Sequence, residues 1–522
     1  MRTTLYRALS LLLAATAGIG AAQVDGNLIN PIVPGDHPDP TIIRVGDTYW
    51  TASTAGNWAP QFALYRSTDL HHWTAAGAIF PHTPAWARSD FWAPELVSDG
   101  GRVLVYYVAR KRDGPLCVAV ATAASPEGPY EDHGPIMCQE DGSIDPSFVR
   151  DEHGKPFLIW KEDGNSRKQP TVIWAQPLTA DLLQVTGDKT QLMVNEPQSW
   201  EGGVIEAPYI LRHDDQYYLF YAGNACCGVE CHYAEGVARA GKLLGPWTRD
   251  PANPIIAANT VWRCPGHGTA VLTPKGDAFF VYHAYPASGT VYLGRQSVID
   301  SITWSADGWP VVNQGRGPGV SAAEPPSGGD VVDNFEGSTL SPEWKWPINR
   351  EPKFQVAAGK LTLSLPDDSS PPAGQATNPV MQAFVARSLL TATYSATVDV
   401  LPGSTAGAGL GLIGDAHDHV VLLLKDGNPQ LWYYGRSVRR PLWTAIMSSD
   451  RPLPVKLRVE STTDGKAAFS FRVKGFPWTP AGDPVQLKDL LPWDSGLRIG
   501  LLVEGKEGTS ASFAAFTLSA QK

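Results

Sequence analysis

The apolar and polar positions of this chain repeat in one pattern. A polar turn containing Gly or Asp is followed by a run of aromatic and β-branched residues. It occurs as "RVGDTYWTAS", "DGGRVLVYYVAR", "DEHGKPFLIWKE", "RHDDQYYLFYAG" and "TPKGDAFFVYHA". Each is a hairpin signal, because the turn residues tolerate tight backbone geometry and the runs suit a pleated, buried surface. A second strand-like segment follows each: "FALYRSTD", "CVAVATAA", "VIWAQPLT", "HYAEGVAR" and "VYLGRQSV". Several units close on a Trp or Tyr near glycine, as in "LHHWTAAG" and "LLGPWTRD". Five such units of roughly 50 to 60 residues predict radial repetition, since one small sheet cannot bury both of its faces alone. A five-bladed β-propeller is the expected solution, and a β-sandwich built of similar hairpins is the competing one.

The pattern changes after "SADGWPVVN". Residues 314–330, "QGRGPGVSAAEPPSGGD", are rich in Gly, Pro and Ser and read as a linker. Runs of strand length then resume, among them "GKLTLSLP", "YSATVDVLP", "HVVLLLKDG", "PVKLRVES" and "LRIGLLVEG". They predict a β-sandwich over residues 331–522. The expected organisation is therefore all-β, with a propeller over residues 23–313 followed by the sandwich. The first 22 residues read as an export signal: Arg2 and Arg7 flank the short apolar run "ALSLLLAATAGIG", and Gly20, Ala21 and Ala22 are small enough for cleavage. The run is short for a membrane span, the competing reading, and no similar run follows. A periplasmic or secreted protein, with no membrane attachment after cleavage, is the expectation.

Composition adds limits. The formal net charge of −10 argues against a nucleic-acid partner, which calls for a basic stripe. The six cysteines, Cys117, Cys138, Cys226, Cys227, Cys231 and Cys264, suit disulfides in an oxidising compartment. Sequence leaves the pairing open. A zinc site at Cys226, Cys227, Cys231 and Cys264 is the alternative, and the adjacent pair and irregular spacing fit it poorly.

Chemistry enters with "DHPDPTII" at residues 36–43. Two carboxylates and an imidazole open a run that otherwise reads as buried. Counting back from each turn brings Asp39, Trp92, Asp145, Glu206 and His267 into register, with spacings of 53 and then 61 residues. The first strand of each propeller blade lines the central axis, so the repeat gathers these residues around one small volume. An Asp before Pro is commonly a turn residue bonding its own backbone. It is the shared register of two Asp-Pro sites with Glu206 that favours chemistry. Crowded carboxyls raise at least one pKa and retain a proton at neutral pH. A protonated acid beside an ionised one is what glycosidic cleavage uses. Glu201 in "SWEGGVIEAP" rivals Glu206 but lies out of register and reads as loop or rim.

These residues resemble glycoside hydrolase family 43. "NPIVPGDHPDPTIIRVGDTYW", "FWAPELV", "GSIDPSFVRDEHGKPFLIW", "IEAPYILRHDDQYYLFY" and "GHGTAVLTPKGDAFFVYH" match its blocks in order, over roughly residues 28–315. The resemblance implies a five-bladed propeller that hydrolyses arabinosides or xylosides with inversion. It implies Asp39 as general base, Glu206 as general acid and Asp145 as the aspartate that sets the acid's pKa and orientation. Glu206 precedes Ala-Pro where the family usually has Gly-Pro, and Glu95 stands where an Asp is usual. Inversion implies a gap of roughly 6.5–9.5 Å between acid and base.

The same resemblance offers Arg295 and His267 to the pocket. Trp92, Trp58 and Phe91 are further candidates for sugar contact. Trp92 fits a core aromatic equally well, and Trp58 a loop anchor. No cofactor is expected to be required and no metal ligand is assigned. In some relatives the histidine binds calcium or its waters, so a structural calcium near His267 stays open, although calcium prefers oxygen ligands. The C-terminal part is similar to the concanavalin-like sandwich of many family β-xylosidases. The function this implies is an exported, inverting glycosidase removing β-D-xylosyl or α-L-arabinofuranosyl groups from oligosaccharides or polysaccharides. Endo-arabinanase and a catalytically silent sugar-binding propeller are the alternatives.

Overall fold

The computed structural model describes residues 28–287, 291–319, 330–348, 350–365, 381–447, 454–462 and 464–521. The export signal and most of the linker lie outside the described residues. Among those described, the first half forms five four-stranded antiparallel sheets, each with its strands in chain order. Their innermost strands are Thr41–Val45, Ala87–Asp99, Ser143–Arg150, Ile205–His213 and Trp262–Leu272. Each innermost strand touches the next, and the last touches the first, so the sheets close into a ring of five blades.

Strand alternation explains how the ring coheres. On the second strand of blade two, Arg102–Lys111, Val105 and Tyr107 join Trp50, Phe62 and Phe91 in a core shared with blade one. Leu104 and Tyr106 face the other way and meet Leu158 and Trp160 of blade three. Equivalent cores lie between blades three and four, four and five, and five and one. Side chains of period two thus bury both faces of every blade, which is why the repeat reads apolar without interruption. The N-terminal segment closes the circle. Ile32 donates to the carbonyl of Ser297 at 2.9 Å, and Val33 forms an antiparallel bridge to the same residue on blade five.

The second half is a two-layer sandwich. A larger sheet contains Lys353–Ala357, Lys360–Ser364, Ser510–Ala520, Tyr394–Val400, Val455–Ser461 and Lys466–Val473. A six-stranded sheet runs Met381–Ser388, Arg498–Gly505, Gly407–Ile413, His419–Lys425, Asn428–Tyr434, Arg439–Thr444. Their inner faces share one core. The start of the expected linker is fastened to the propeller: Gly319 donates to Asp300 and accepts from the indole of Trp262, both at 3.0 Å.

The two domains are joined through backbone. Trp346–Pro347 pairs with Trp58–Ala59 of blade one as a two-stranded sheet. Asp36, from the opening stretch, bridges them as well. One carboxylate oxygen accepts from the backbone N–H of Arg295 at 3.1 Å, the other from that of Gly496 in the sandwich at 3.0 Å. The first aspartate of "DHPDP" therefore holds the domains together, and the second belongs to the site.

The cysteines form disulfides rather than a zinc site. Cys117–Cys138 joins neighbouring strands of blade two. Cys231–Cys264 fastens a loop of blade four to the inner strand of blade five, and Cys226–Cys227 links adjacent residues in that loop.

Candidate active site

The same irregularity recurs at the same level of every blade, just before the inner strand of blade one and within those of the other four. Asp39, Ala93, Asp145, Ala207 and His267 have φ of 52°, 45°, 54°, 55° and 55°, in the left-handed region that non-glycine residues rarely occupy. The next residue is Pro40, Pro94, Pro146, Pro208 or Gly268. Proline cannot donate to the ladder, so the pairing breaks into a bulge there, between Ile144 and Ser147 and between Glu206 and Tyr209 for example. Gly268 serves blade five because a Cβ there would lie 2.5 Å from the ring of Phe280. The structural register thus falls on Ala93 and Ala207. Trp92 and Glu206 each come one residue earlier than the in-line position expected from sequence.

A bulge frees a backbone N–H, and a buried free donor must find a partner. Asp145 Oδ2 accepts from the N–H of Ala207 at 2.9 Å. Glu235 Oε2 accepts from that of His267 at 2.9 Å, and Thr54 Oγ1 from that of Ala93 at 2.7 Å. The N–H of Asp39 donates to His283 Nδ1 at 3.1 Å. These bonds tie each bulge to other parts of the ring and fix the side chains that flank it. Asp145, bonded to the residue after Glu206, is placed to orient that glutamate.

Asp39, Asp145 and Glu206 line one cavity of about 470 Å³, together with Trp92, Arg110, Lys161, Tyr233, His267 and Arg295. Trp493 and Asp494 of the sandwich also line it, and Arg295 Nη2 donates to the carbonyl of Asp494 at 3.1 Å. The indole of Trp493 meets that of Trp92 edge-on at 6.4 Å between centroids.

The carboxyls sit in different fields. Asp39 Oδ1 accepts from Arg295 Nη1 at 2.8 Å and lies 3.4 Å from His267 Nδ1 and 3.1 Å from His283 Nδ1. Thr54 Oγ1 donates to its other oxygen at 2.7 Å. Burial pushes the Asp39 pKa up, but Arg295 and then the two imidazoles outweigh this and hold it well below the ordinary value. Burial beside Arg295 lowers His283 to about 4, so its ring is neutral. Asp145 is pushed up to about 6, by burial first and by the neighbouring Glu206 carboxylate, against the pull of His267 and Lys161.

Glu206 was expected to carry the raised value, and the structure places it otherwise. Burial raises it, but Lys161 Nζ at 2.8 Å and the hydroxyl of Tyr233 at 2.8 Å lower it overall. The upward shift therefore falls on Asp145, and Glu206 is held down by a lysine that is itself only 1% exposed.

Other expected positions are redistributed. Phe91 is fully buried in the core between blades one and two, stacked on Tyr107, and does not reach the cavity. Trp58 packs on Phe384 of the sandwich under the guanidinium of Arg498, and borders a neighbouring cavity instead. Both read as mouth aromatics because neither blade-to-blade packing, for Phe91, nor blade-to-sandwich packing, for Trp58, leaves a mark in local sequence. Glu201 is no rim residue: it is fully buried and bonded to Arg249 and Tyr221. Glu95 accepts from Thr41 Oγ1 at 2.9 Å, and burial raises its pKa to about 8. Around His267, Asp39 is committed to Arg295, and among the described residues no cluster of three or more His, Cys, Asp or Glu could hold a metal ion.

The signal for Lys161 and His283 was present but unread. Each is a charged or ionisable residue inside an otherwise apolar second strand, "FLIWKE" and "FFVYHA".

Residues 28–310 match the family model of glycosyl hydrolases family 43. This chain belongs to glycosyl hydrolases family 43. Residues 332–519 match the β-xylosidase C-terminal concanavalin A-like domain. Among curated relatives, a xylan 1,3-beta-xylosidase of a Vibrio species is 30% identical over 57% of this chain and 59% of its own. An extracellular exo-alpha-(1->5)-L-arabinofuranosidase of Cellvibrio japonicus is 28% identical over 58% of this chain and 90% of its own. The chain thus spans about three fifths of the length of the first of these relatives. A crystal structure of a GH43 protein from Bacillus licheniformis shares the fold, with TM-score 0.77 and 22% identity over 95% of this chain and all of that one.

Proposed function

We propose that this protein is an inverting glycoside hydrolase that removes single pentosyl groups, β-D-xylosyl or α-L-arabinofuranosyl, from the ends or side chains of plant oligosaccharides and polysaccharides. One observation carries the reading: three carboxyls from blades one, three and four converge on a cavity that a sandwich loop walls off with Trp493 and Asp494. An enclosed wall suits a chain end better than a continuous polymer, which favours this over endo-arabinanase.

In the proposed reaction Asp39, fixed as an anion, removes a proton from water as the water attacks the anomeric carbon. The bond to the leaving oxygen breaks, and that oxygen takes the proton held by the Asp145–Glu206 pair. Glu206 is the member that delivers it, in keeping with the family. Asp145 orients Glu206 through the Ala207 N–H. Anionic groups around the cavity stabilise the oxocarbenium-like transition state. Export to the periplasm or the medium is proposed from the N-terminal Arg2–Ala22 segment and from the disulfides. Fractionation of producing cells tests it.

A panel of aryl glycosides tests the function. Cleavage of a xyloside or arabinofuranoside, with the inverted anomer appearing first by proton NMR, is expected. Turnover of hexosides alone overturns the substrate class, retention overturns the mechanism, and binding without turnover restores the silent-propeller reading.

A further inference from the structure

The loop between the second and third strands of blade four, "NACCGVECHY" at residues 224–233, carries two disulfides. Cys231–Cys264 anchors the loop to blade five. That bond, with the His232 N–H to Ala225 carbonyl bond at 2.9 Å and the Gly228 N–H to Tyr285 hydroxyl bond at 3.2 Å, holds the loop in place. A second covalent link between neighbours two residues from the loop's start adds little to that fastening.

Its position suggests another use. Cys226 and Cys227 both line the cavity that holds the three carboxyls, and both are half-buried. Cys226 packs beside Ala207, Tyr233 and the sandwich's Leu491. A Cβ on Gly228 would stand 3.4 Å from the carbonyl of Trp493, so the loop meets the sandwich where Trp493 enters the cavity. Tyr233, which bonds Glu206, ends the same loop. The disulfide therefore lies on the Glu206 side, whereas Asp39 is surrounded by Arg295, His267 and His283.

Chemistry gives the pair a role there. Two free thiols would present polar, rotating S–H groups. Linked to each other, they present two polarizable sulfurs with no hydrogen to donate, in a ring with little freedom. Soft sulfur packs well on apolar surface, and the face of a pyranose or furanose ring exposes C–H groups. Resting on the hydrolase reading above, we infer that the Cys226–Cys227 disulfide is an apolar platform for the sugar on the leaving-group side of the scissile bond, and so a determinant of specificity for what the pentose is attached to.

The test compares a pentosyl disaccharide with the matching pentosyl fluoride, whose leaving group is too small to reach the platform. Cys226→Ser/Cys227→Ser is expected to lose about tenfold more kcat/KM on the disaccharide than on the fluoride, mainly through KM. Cys226→Val/Cys227→Val, which keeps apolar bulk, is expected to recover part of that loss. Equal losses on both substrates, or equal behaviour of the Ser and Val variants, would overturn the inference in favour of a simple staple. If neither variant folds, wild type treated with dithiothreitol gives the same comparison: the disulfide becomes two thiols as the reagent closes to its cyclic disulfide. Peptide mapping confirms which bond has opened, and an unchanged substrate ratio then overturns the inference. Wild type that cleaves neither substrate contradicts the hydrolase reading itself, a separate outcome.

Discussion

The two sides of the cavity use similar parts to opposite ends. On one, Asp39 stands 2.8 Å from Arg295; on the other, Glu206 stands 2.8 Å from Lys161. Each carboxyl is buried against a buried cation. The difference is the third party. Two imidazoles crowd Asp39, the His283 ring neutral, and Arg295 is the cation that bonds it. Glu206 has Asp145 beside it, so one lysine serves two carboxyls and Asp163 as well. A carboxylate bonded to a guanidinium is held ionised, and crowding between two carboxyls pushes a pKa up. The two sides thus differ because of neighbours, not because of residue type.

Removing the Asp39 carboxylate is expected to have the largest effect. Asp39→Asn should lower kcat by about 10²–10⁴, whatever the leaving group. Steady-state rates on aryl pentosides measure it, and a rate within tenfold of wild type would show that the base lies elsewhere.

Lys161→Met attacks the other side. It leaves two buried carboxyls without their cation, at a cost of about 3–5 kcal/mol in stability. Denaturant unfolding reads that loss. With Lys161 gone the proton should be held to higher pH, so the alkaline limb of kcat/KM, expected near the Asp145 value of about 6 in wild type, should move upward. A limb that stays in place would detach it from this pair.

Arg295→Lys is a milder change. The ammonium cannot reproduce the fork that bonds Asp39 and the Asp494 carbonyl together. Asp39 should titrate at higher pH, moving the acid limb up by about one unit while the alkaline limb stays. Movement of both limbs would contradict the separation of the two sides.

Glu95→Gln should change activity least and stability in a pH-dependent way. The folded pKa of Glu95, about 8, lies above its ordinary value of 4.5. Between those values the native state binds more protons than the unfolded state, so stability is greatest at low pH and falls as pH rises toward 8, by up to roughly 1.4 kcal/mol per unit. The Gln variant lacks that slope. The fall in melting temperature from pH 5 to pH 8 should therefore be smaller in the variant than in wild type, where Glu95 adds to the slope of the other buried carboxyls.

Much of this was legible in the sequence, and for physical reasons. A propeller repeats one hairpin, so its apolar period, its turns and its Asp-Pro and Ala-Pro sites recur visibly. Their register brought Asp39, Asp145 and Glu206 together in advance, along with His267 and Trp92, and the family resemblance added Arg295. The one-residue slip at Trp92 and Glu206 came from a bulge, which changes register without changing composition. Lys161 and His283 were hidden because an ionisable residue in an apolar strand declares no partner until the blades close. Phe91 and Trp58 were misplaced for a related reason: an aromatic beside a motif and an aromatic in a core look alike in one dimension. The division of labour between Asp36 and Asp39, three residues apart, depended on the sandwich and could not be read from the propeller's pattern.

The central claim, that the cavity has a base side and an acid side, is tested most directly by crossing two variants with two leaving groups. Asp39→Asn and Glu206→Gln are each assayed on a pentosyl disaccharide, whose leaving oxygen needs a proton, and on the pentosyl fluoride, which departs with little help. Asp39→Asn is predicted to be slow on both. Glu206→Gln is predicted to be slow on the disaccharide by about 10²–10⁴ and within about tenfold of wild type on the fluoride. Equal impairment of Glu206→Gln on both substrates, or sparing of Asp39→Asn on the fluoride, would contradict the assignment.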